Sequence, residues 1–143
     1  MGEDSLVGQL RVYLQGQPEV RFAYLFGSQA SGRANAMSDV DVAVCVDREC
    51  LAATPYGYRA ALIAQLSQVL GVQAVDLVVL NTASPALRFQ VIRYGLLLFA
   101  RSDAERVEFQ VRTFNEYQDT RYLFREHQAR LEERLVAGQF GRG

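Results

Sequence analysis

Lysine is missing from the 143 residues, and all fifteen basic side chains are arginine. Codon usage alone would produce that bias; the other reading is that planar guanidinium forks suit phosphates and carboxylates. Placement in the fold decides between them. Histidine is nearly absent as well, and the single one, His127, sits among charged residues and carries little catalytic weight. Cysteine is limited to Cys45 and Cys50, with no second pair or histidine cluster to complete a zinc site, which fits thiols in a reducing compartment. No apolar run approaches membrane-spanning length, and the first residues, MGEDSLVGQL, carry acids where a secretory signal carries positive charge. The expected location is the cytoplasm. Neither sign of charge dominates, and a net charge of −1 gives no electrostatic reason to expect binding to nucleic acid or an anionic membrane. There is no internal repeat, low-complexity tract or linker.

What is present has the balance of a soluble globular domain: half of the residues are hydrophobic and 22% charged. The length suits one domain with a single core. Leu6, Leu10, Tyr13 and Leu14 have helical spacing and predict a covering helix over 4–14, ended by Gly16. VRFAYLF predicts a first strand over 21–26, and a brief helix and loop follow it. From 39 to 46 the chain alternates, with Val40, Val42, Val44 and Val46 facing a core and Asp39, Asp41, Ala43 and Cys45 facing away. Thr54-Pro55 opens a helix to Leu70, stopped by Gly71. A third strand over 73–80 places Asp76, Val78 and Leu80 on one face and Val75, Leu77 and Val79 on the other.

Ser84-Pro85 opens another helix, to Tyr94, and Gly95 precedes a short strand over 96–100. Ser102 and Glu105 have capping-box spacing, and a long helix then runs to about Val136. Its core side is predicted to carry Val107, Val111, Phe114, Tyr117, Phe124, Leu131 and Leu135, leaving Phe109 and Tyr122 for partner contact. The order α-β-(α)-β-α-β-α-β-α makes an α+β (α/β) fold: one domain over 1–143, with its core at about 20–100 and a C-terminal helix at about 103–136.

The chemistry concentrates between Gly27 and Asp41. The pair Gly27-Ser28 stands ten residues ahead of an Asp-x-Asp pair, Asp39 and Asp41, and a third acid, Asp76, lies inside the apolar run AVDLVVL. Residues i and i+2 of a strand point the same way about 6.6 to 6.8 Å apart. Asp39 and Asp41 can therefore serve two metal ions roughly 3.5 to 4 Å apart. If the strand of Asp76 pairs with theirs, its carboxylate arrives from about 4.8 Å to the side. Three clustered anions favour divalent cations, and oxygen-only ligands suit Mg²⁺. Gly27 permits a tight turn, while the Ser28 hydroxyl and nearby N–H groups can take phosphate oxygens. The four fixed residues at that spacing would arise by chance in roughly one chain in a thousand of this length.

The stretch YLFGSQASGRANAMSDVDVAVCV resembles the G-S-x10-D-x-D element of the DNA polymerase beta-like nucleotidyltransferases, most closely the minimal nucleotidyltransferase (MNT) group paired with HEPN proteins in toxin–antitoxin modules. The resemblance implies a single nucleotidyltransferase domain, with a mixed sheet of about four strands backed by helices. It implies a Mg²⁺-dependent enzyme with two ions and ATP as substrate. Gly27 and Ser28 would contact the triphosphate, Asp39 and Asp41 would hold both metals, and Asp76 would bind the catalytic metal and help activate the attacking hydroxyl. Arg33 and Ser38, in the same loop, are further candidates for phosphate contact. The implied role is an antitoxin that transfers AMP to a tyrosine hydroxyl of a cognate HEPN toxin, in a hetero-oligomer with it. Two alternatives stand beside it: transfer to a small molecule such as an aminoglycoside, and a non-enzymatic antitoxin that acts by binding alone. Tyr56 and Tyr58 are candidates for stacking on a base.

Overall fold

The computed structural model describes residues 5–27, 40–53, 55–71 and 74–136; side chains at 52, 53, 55, 56, 122–124, 126 and 131–136 lie outside that description. Its elements follow the chain as α1 (Leu6–Gln15), β1 (Val20–Phe26), β2 (Val40–Val46), α2 (Arg48–Ala53), α3 (Pro55–Leu70), β3 (Val75–Val79), α4 (Pro85–Tyr94), β4 (Leu96–Ala100) and α5 (Asp103–Val136). Most helix ends use the expected local chemistry. The hydroxyls of Ser5 and Ser84 accept from the N–H groups of Gly8 (3.1 Å) and Leu87 (3.2 Å). Gly71 takes the left-handed conformation, at φ +68°, past the end of α3. The brief helix expected after β1 falls outside the described residues. The short helix α2 was not expected; it is built from RECLAA, good helix formers directly after Asp47.

The strands form one mixed sheet in the order β3-β2-β1-β4. β1 is antiparallel to β2 and β4, whereas β2 and β3 run parallel. Parallel pairing needs a crossover, and α2 with α3 supply it. The valines of β2 behave as the alternation predicts: Val40, Val42, Val44 and Val46 are at most 2% exposed, packed with Leu10 and Leu14 of α1 and Leu62 and Leu66 of α3.

The other face is not left to solvent. Phe22, Tyr24, Ala43, Leu80, Val91 and Phe109 make a second buried cluster beneath α4 and α5. The single core expected from chain length is therefore two thinner cores on either side of the sheet.

The same cluster corrects the reading of the last helix. Phe109 is 3% exposed and packs edge-on against Phe22 at 5.2 Å between ring centroids. Val107, Val111 and Phe114, expected to face the core, are 45%, 55% and 49% exposed. The inner side of α5 is instead largely polar: Gln110 Nε2 donates to the Tyr24 hydroxyl (3.2 Å), while Glu105 and Glu116 receive Arg21 and Arg88. Only half of the expected capping box forms. The Glu105 N–H donates to Ser102 Oγ at 3.2 Å, but the Glu105 carboxylate turns to Arg21 at 3.0 Å. Tyr117, counted with the core stripe, stacks on Phe89 of α4 at 4.2 Å. The side chains of Tyr122, Phe124, Leu131 and Leu135 lie outside the described residues.

Candidate active site

β1 ends, and β2 and β3 begin, at the same end of the sheet. Phe26 of β1 is opposite Asp41 of β2, and Asp41 is opposite Asp76 of β3. The side chains of Asp41 and Asp76 share the face that also carries Ala43, Val78 and Leu80. The adjacency that the sequence allowed is thus realised, with Asp76 in register with Asp41. Neighbouring strands lie about 4.8 Å apart, a spacing at which two carboxylates can share one cation.

Gly27 closes β1 in a conformation reserved for glycine, with φ +78°. A Cβ built there would stand 2.2 Å from Asp41 Oδ2. The absent side chain therefore makes room for the Asp41 carboxylate itself, which rests against the turn. The tight turn expected of Gly27 is present, and what its missing side chain accommodates in this structure is an acid.

Asp76 is more open, with its side chain 58% exposed. Its partner is Arg59 of α3, whose Nη2 donates to Asp76 Oδ1 at 3.1 Å and whose Nε donates to the Leu77 carbonyl at 2.9 Å. Sequence reasoning did not single out Arg59. It lies on a helix whose apolar residues face the opposite side of the sheet, and no spacing ties it to Asp76.

The remaining expected site residues, Ser28, Arg33, Ser38 and Asp39, lie outside the described residues. Among the described residues no three His, Cys, Asp or Glu side chains converge on a metal position. Asp41 and Asp76 supply two carboxylates, and their oxygen-only donor set fits Mg²⁺.

Other candidates sit elsewhere. The hydroxyl of Tyr58 donates to Glu19 Oε2 at 2.9 Å and its ring packs in the cluster with α1 and α3, on the face away from the acids. That excludes it as a base platform; burial and Glu19 push its pKa well up. The side chain of Tyr56 is outside the description. His127 is exposed on α5, as expected. Burial, with Glu105 nearby, pushes the Cys45 thiol up to about 11, so it is protonated and unreactive at neutral pH. A cavity of about 580 Å³ lies at the far end of the sheet, lined by Arg21, Cys45, Asp47, Arg88, Glu105 and Arg112 among others. Neither Asp41 nor Asp76 borders it. No helix among the described residues is long and apolar enough to cross a membrane.

Comparison with known proteins agrees with this arrangement. The family described as "Polymerase beta, Nucleotidyltransferase" matches residues 8–104. The protein adenylyltransferase MntA of Shewanella oneidensis is 32% identical over 135 residues, covering 93% of this chain and 87% of the relative. A solved toxin–antitoxin structure with AMP-PNP contains a chain 29% identical, with a TM-score of 0.68 over 92% of this chain and 99% of that one. A tri-AMPylated HEPN toxin from Shewanella oneidensis in complex with its MNT antitoxin provides another match, 28% identical with a TM-score of 0.61, covering 90% and 95% of the two chains. With the mixed sheet, the glycine turn and the acids paired across β2 and β3 in place, the chain belongs to the polymerase beta nucleotidyltransferase family.

Proposed function

We propose that this protein is an enzymatic antitoxin that moves AMP from ATP to a tyrosine hydroxyl of a HEPN-family toxin. The observation that carries this reading is the placement of Asp41 and Asp76 side by side at the end of the sheet where Gly27 turns the chain. The similarity to MntA and to the MNT antitoxin in complex with an AMPylated HEPN toxin supports adenylyl transfer and a HEPN toxin as the acceptor protein.

In this reading the triphosphate lies over the Gly27-Ser28 turn, with Arg33 and Ser38 as further phosphate contacts. Asp39, Asp41 and Asp76 would hold Mg²⁺, which offsets phosphate charge and polarises the transferred group. Asp76 draws the proton from the tyrosine hydroxyl as its oxygen attacks the α-phosphorus. One P–O bond forms to tyrosine, the bond to the β-phosphate oxygen breaks, and pyrophosphate leaves. The side chains do the holding and the proton movement; little covalent chemistry falls to the protein.

The test is incubation of the purified pair with ATP labelled in the α-phosphate. Wild-type protein is expected to label the toxin, and an Asp39→Asn, Asp41→Asn double variant to lose at least a hundredfold in rate, on the order of what removing a principal electrostatic element does. Labelling at an unchanged rate would refute the assignment.

A second reading has one observation in its favour. The exposed stripe Val107, Val111 and Phe114 on α5 is a surface for a partner to cover, which is what an antitoxin acting by binding alone needs. It requires the double variant to protect cells as well as the wild type does. Loss of protection with the complex still intact would exclude it.

A further inference from the structure

The acids are not held by the strands alone. Among the described residues β3 is an edge strand, hydrogen-bonded to β2 on one side only. Val40 N–H donates to the Ala74 carbonyl (3.0 Å) and Leu80 N–H to the Val44 carbonyl (2.7 Å). The even-numbered residues of β3 therefore turn their backbone groups toward β2, and the odd-numbered ones, Leu77 among them, turn theirs toward the open edge.

Arg59 closes that edge. It leaves α3 on one face of the sheet, next to Tyr58 and Leu62 of the first core, and reaches around β3. Its Nε caps the outward Leu77 carbonyl, and its Nη2 reaches Asp76 Oδ1 on the opposite face. One guanidinium thus binds backbone and side chain of consecutive residues in a two-pronged contact that fixes the direction of the Asp76 carboxylate. Because Arg59 approaches from the edge side and takes Oδ1, the remaining acceptor positions of the carboxylate are left for a cation on the Asp41 side. A carboxylate 58% exposed at the end of a five-residue edge strand would otherwise sample several rotamers.

We propose that Arg59 is a positioning residue of the active site: it locks Asp76 in the orientation in which Asp76 and Asp41 together bind a divalent cation. This rests on the reading of those two acids as metal-holding carboxylates. The contact is worth little as an exposed ion pair; its consequence is geometric, like that of groups that orient a metal ligand and whose loss reduces metal affinity or activity by about 10- to 100-fold.

The experiment compares wild type, Arg59→Met, Arg59→Lys and Asp41→Asn, each as the full chain with α,β-methylene ATP. Mn²⁺ binding is followed by electron paramagnetic resonance, alongside thermal melts and the rate and KM of toxin labelling. Arg59→Met is expected to weaken Mn²⁺ binding and lower kcat by about 10- to 100-fold, with KM for ATP little changed. Arg59→Lys keeps the charge but not the fork and falls between; it carries the same comparison should the Met variant fail to fold. Unchanged Mn²⁺ affinity in both Arg59 variants, with or without a lower melting temperature, would overturn the proposal and leave Arg59 an edge clamp. If Asp41→Asn also binds Mn²⁺ as the wild type does, the reading of the acids fails with it; if only Asp41→Asn loses the metal, that reading stands and the role of Arg59 alone is lost.

Discussion

Individual side chains show what the lack of lysine means in this fold. Arg101 donates from Nε to the Val20 carbonyl and from Nη2 to those of Gln15 and Gln17, Arg11 reaches the Leu98 carbonyl, and Arg88 those of Leu80 and Asn81. The forks of Arg101 and Arg88 each tie a turn to a neighbouring element through two or more bonds, in a way that a single ammonium does not reproduce. Gly27 has a narrower requirement. Gly27→Ala is expected to destabilise the fold by about 1 to 2 kcal/mol from the left-handed backbone, read as a lower urea midpoint. Nucleotide transfer should fall further than that loss of folded protein accounts for, because the new Cβ occupies the place of Asp41 Oδ2. Of the expected site residues that the structure describes, the placement of the glycine, the direction of Asp41 and the position of the lone acid of β3 were legible, following from a two-residue period and a turn. Arg59 was not, because it acts across 17 residues of chain and around a strand edge, and neither period nor local chemistry marks such a contact.

Among the elements, the four strands and helices α1, α3 and α4 were read from sequence nearly to their ends, with caps, prolines and glycines marking most of the helix ends, whereas α2 was missed. The last helix was read to its ends, Asp103–Val136, but its buried face was not. Its 34 residues extend roughly 51 Å, whereas the seven-residue strands β1 and β2 span roughly 23 Å. Much of the helix has no sheet to cover, yet the misread residues Val107, Val111 and Phe114 flank Phe109 in the part that does lie on the sheet, so there the apolar stripe does not mark the buried side. The contacts that seat it are Phe109 and the polar residues that meet Arg21, Tyr24 and Arg88. Phe109→Ala is accordingly expected to lower stability by about 3 to 5 kcal/mol. Phe114→Ala, at a half-exposed position, should stay within about 1 kcal/mol of wild type. Chemical denaturation of the two variants checks both values; equal losses would restore the stripe to the core.

For the protein as a unit, stability should depend on alkaline pH. Cys45 is held at about 11, above its ordinary value near 9, chiefly by burial, and Tyr58 is raised by burial and Glu19. Below pH 9 both groups are protonated in folded and unfolded chains alike, so the full stability is present. Above it the unfolded thiol releases its proton first, and stability declines as pH rises toward 11. Melting temperatures between pH 8 and 11 should fall, and fall less in Cys45→Ala; a slope unchanged by that substitution would refute the assignment. The parallel pairing of β2 and β3 has a different consequence. Residues 35 positions apart in the chain, Asp41 and Asp76, meet only while β3 stays docked, and among the described residues β3 has a strand neighbour on one side alone. Peeling that one strand would separate the acids while β1, β2 and β4 kept their shared ladder. The lifetime of the catalytic centre is then set by the easiest local opening and not by global unfolding. In the proposed pairing, mild stress would leave a protein still able to occupy its toxin yet unable to modify it.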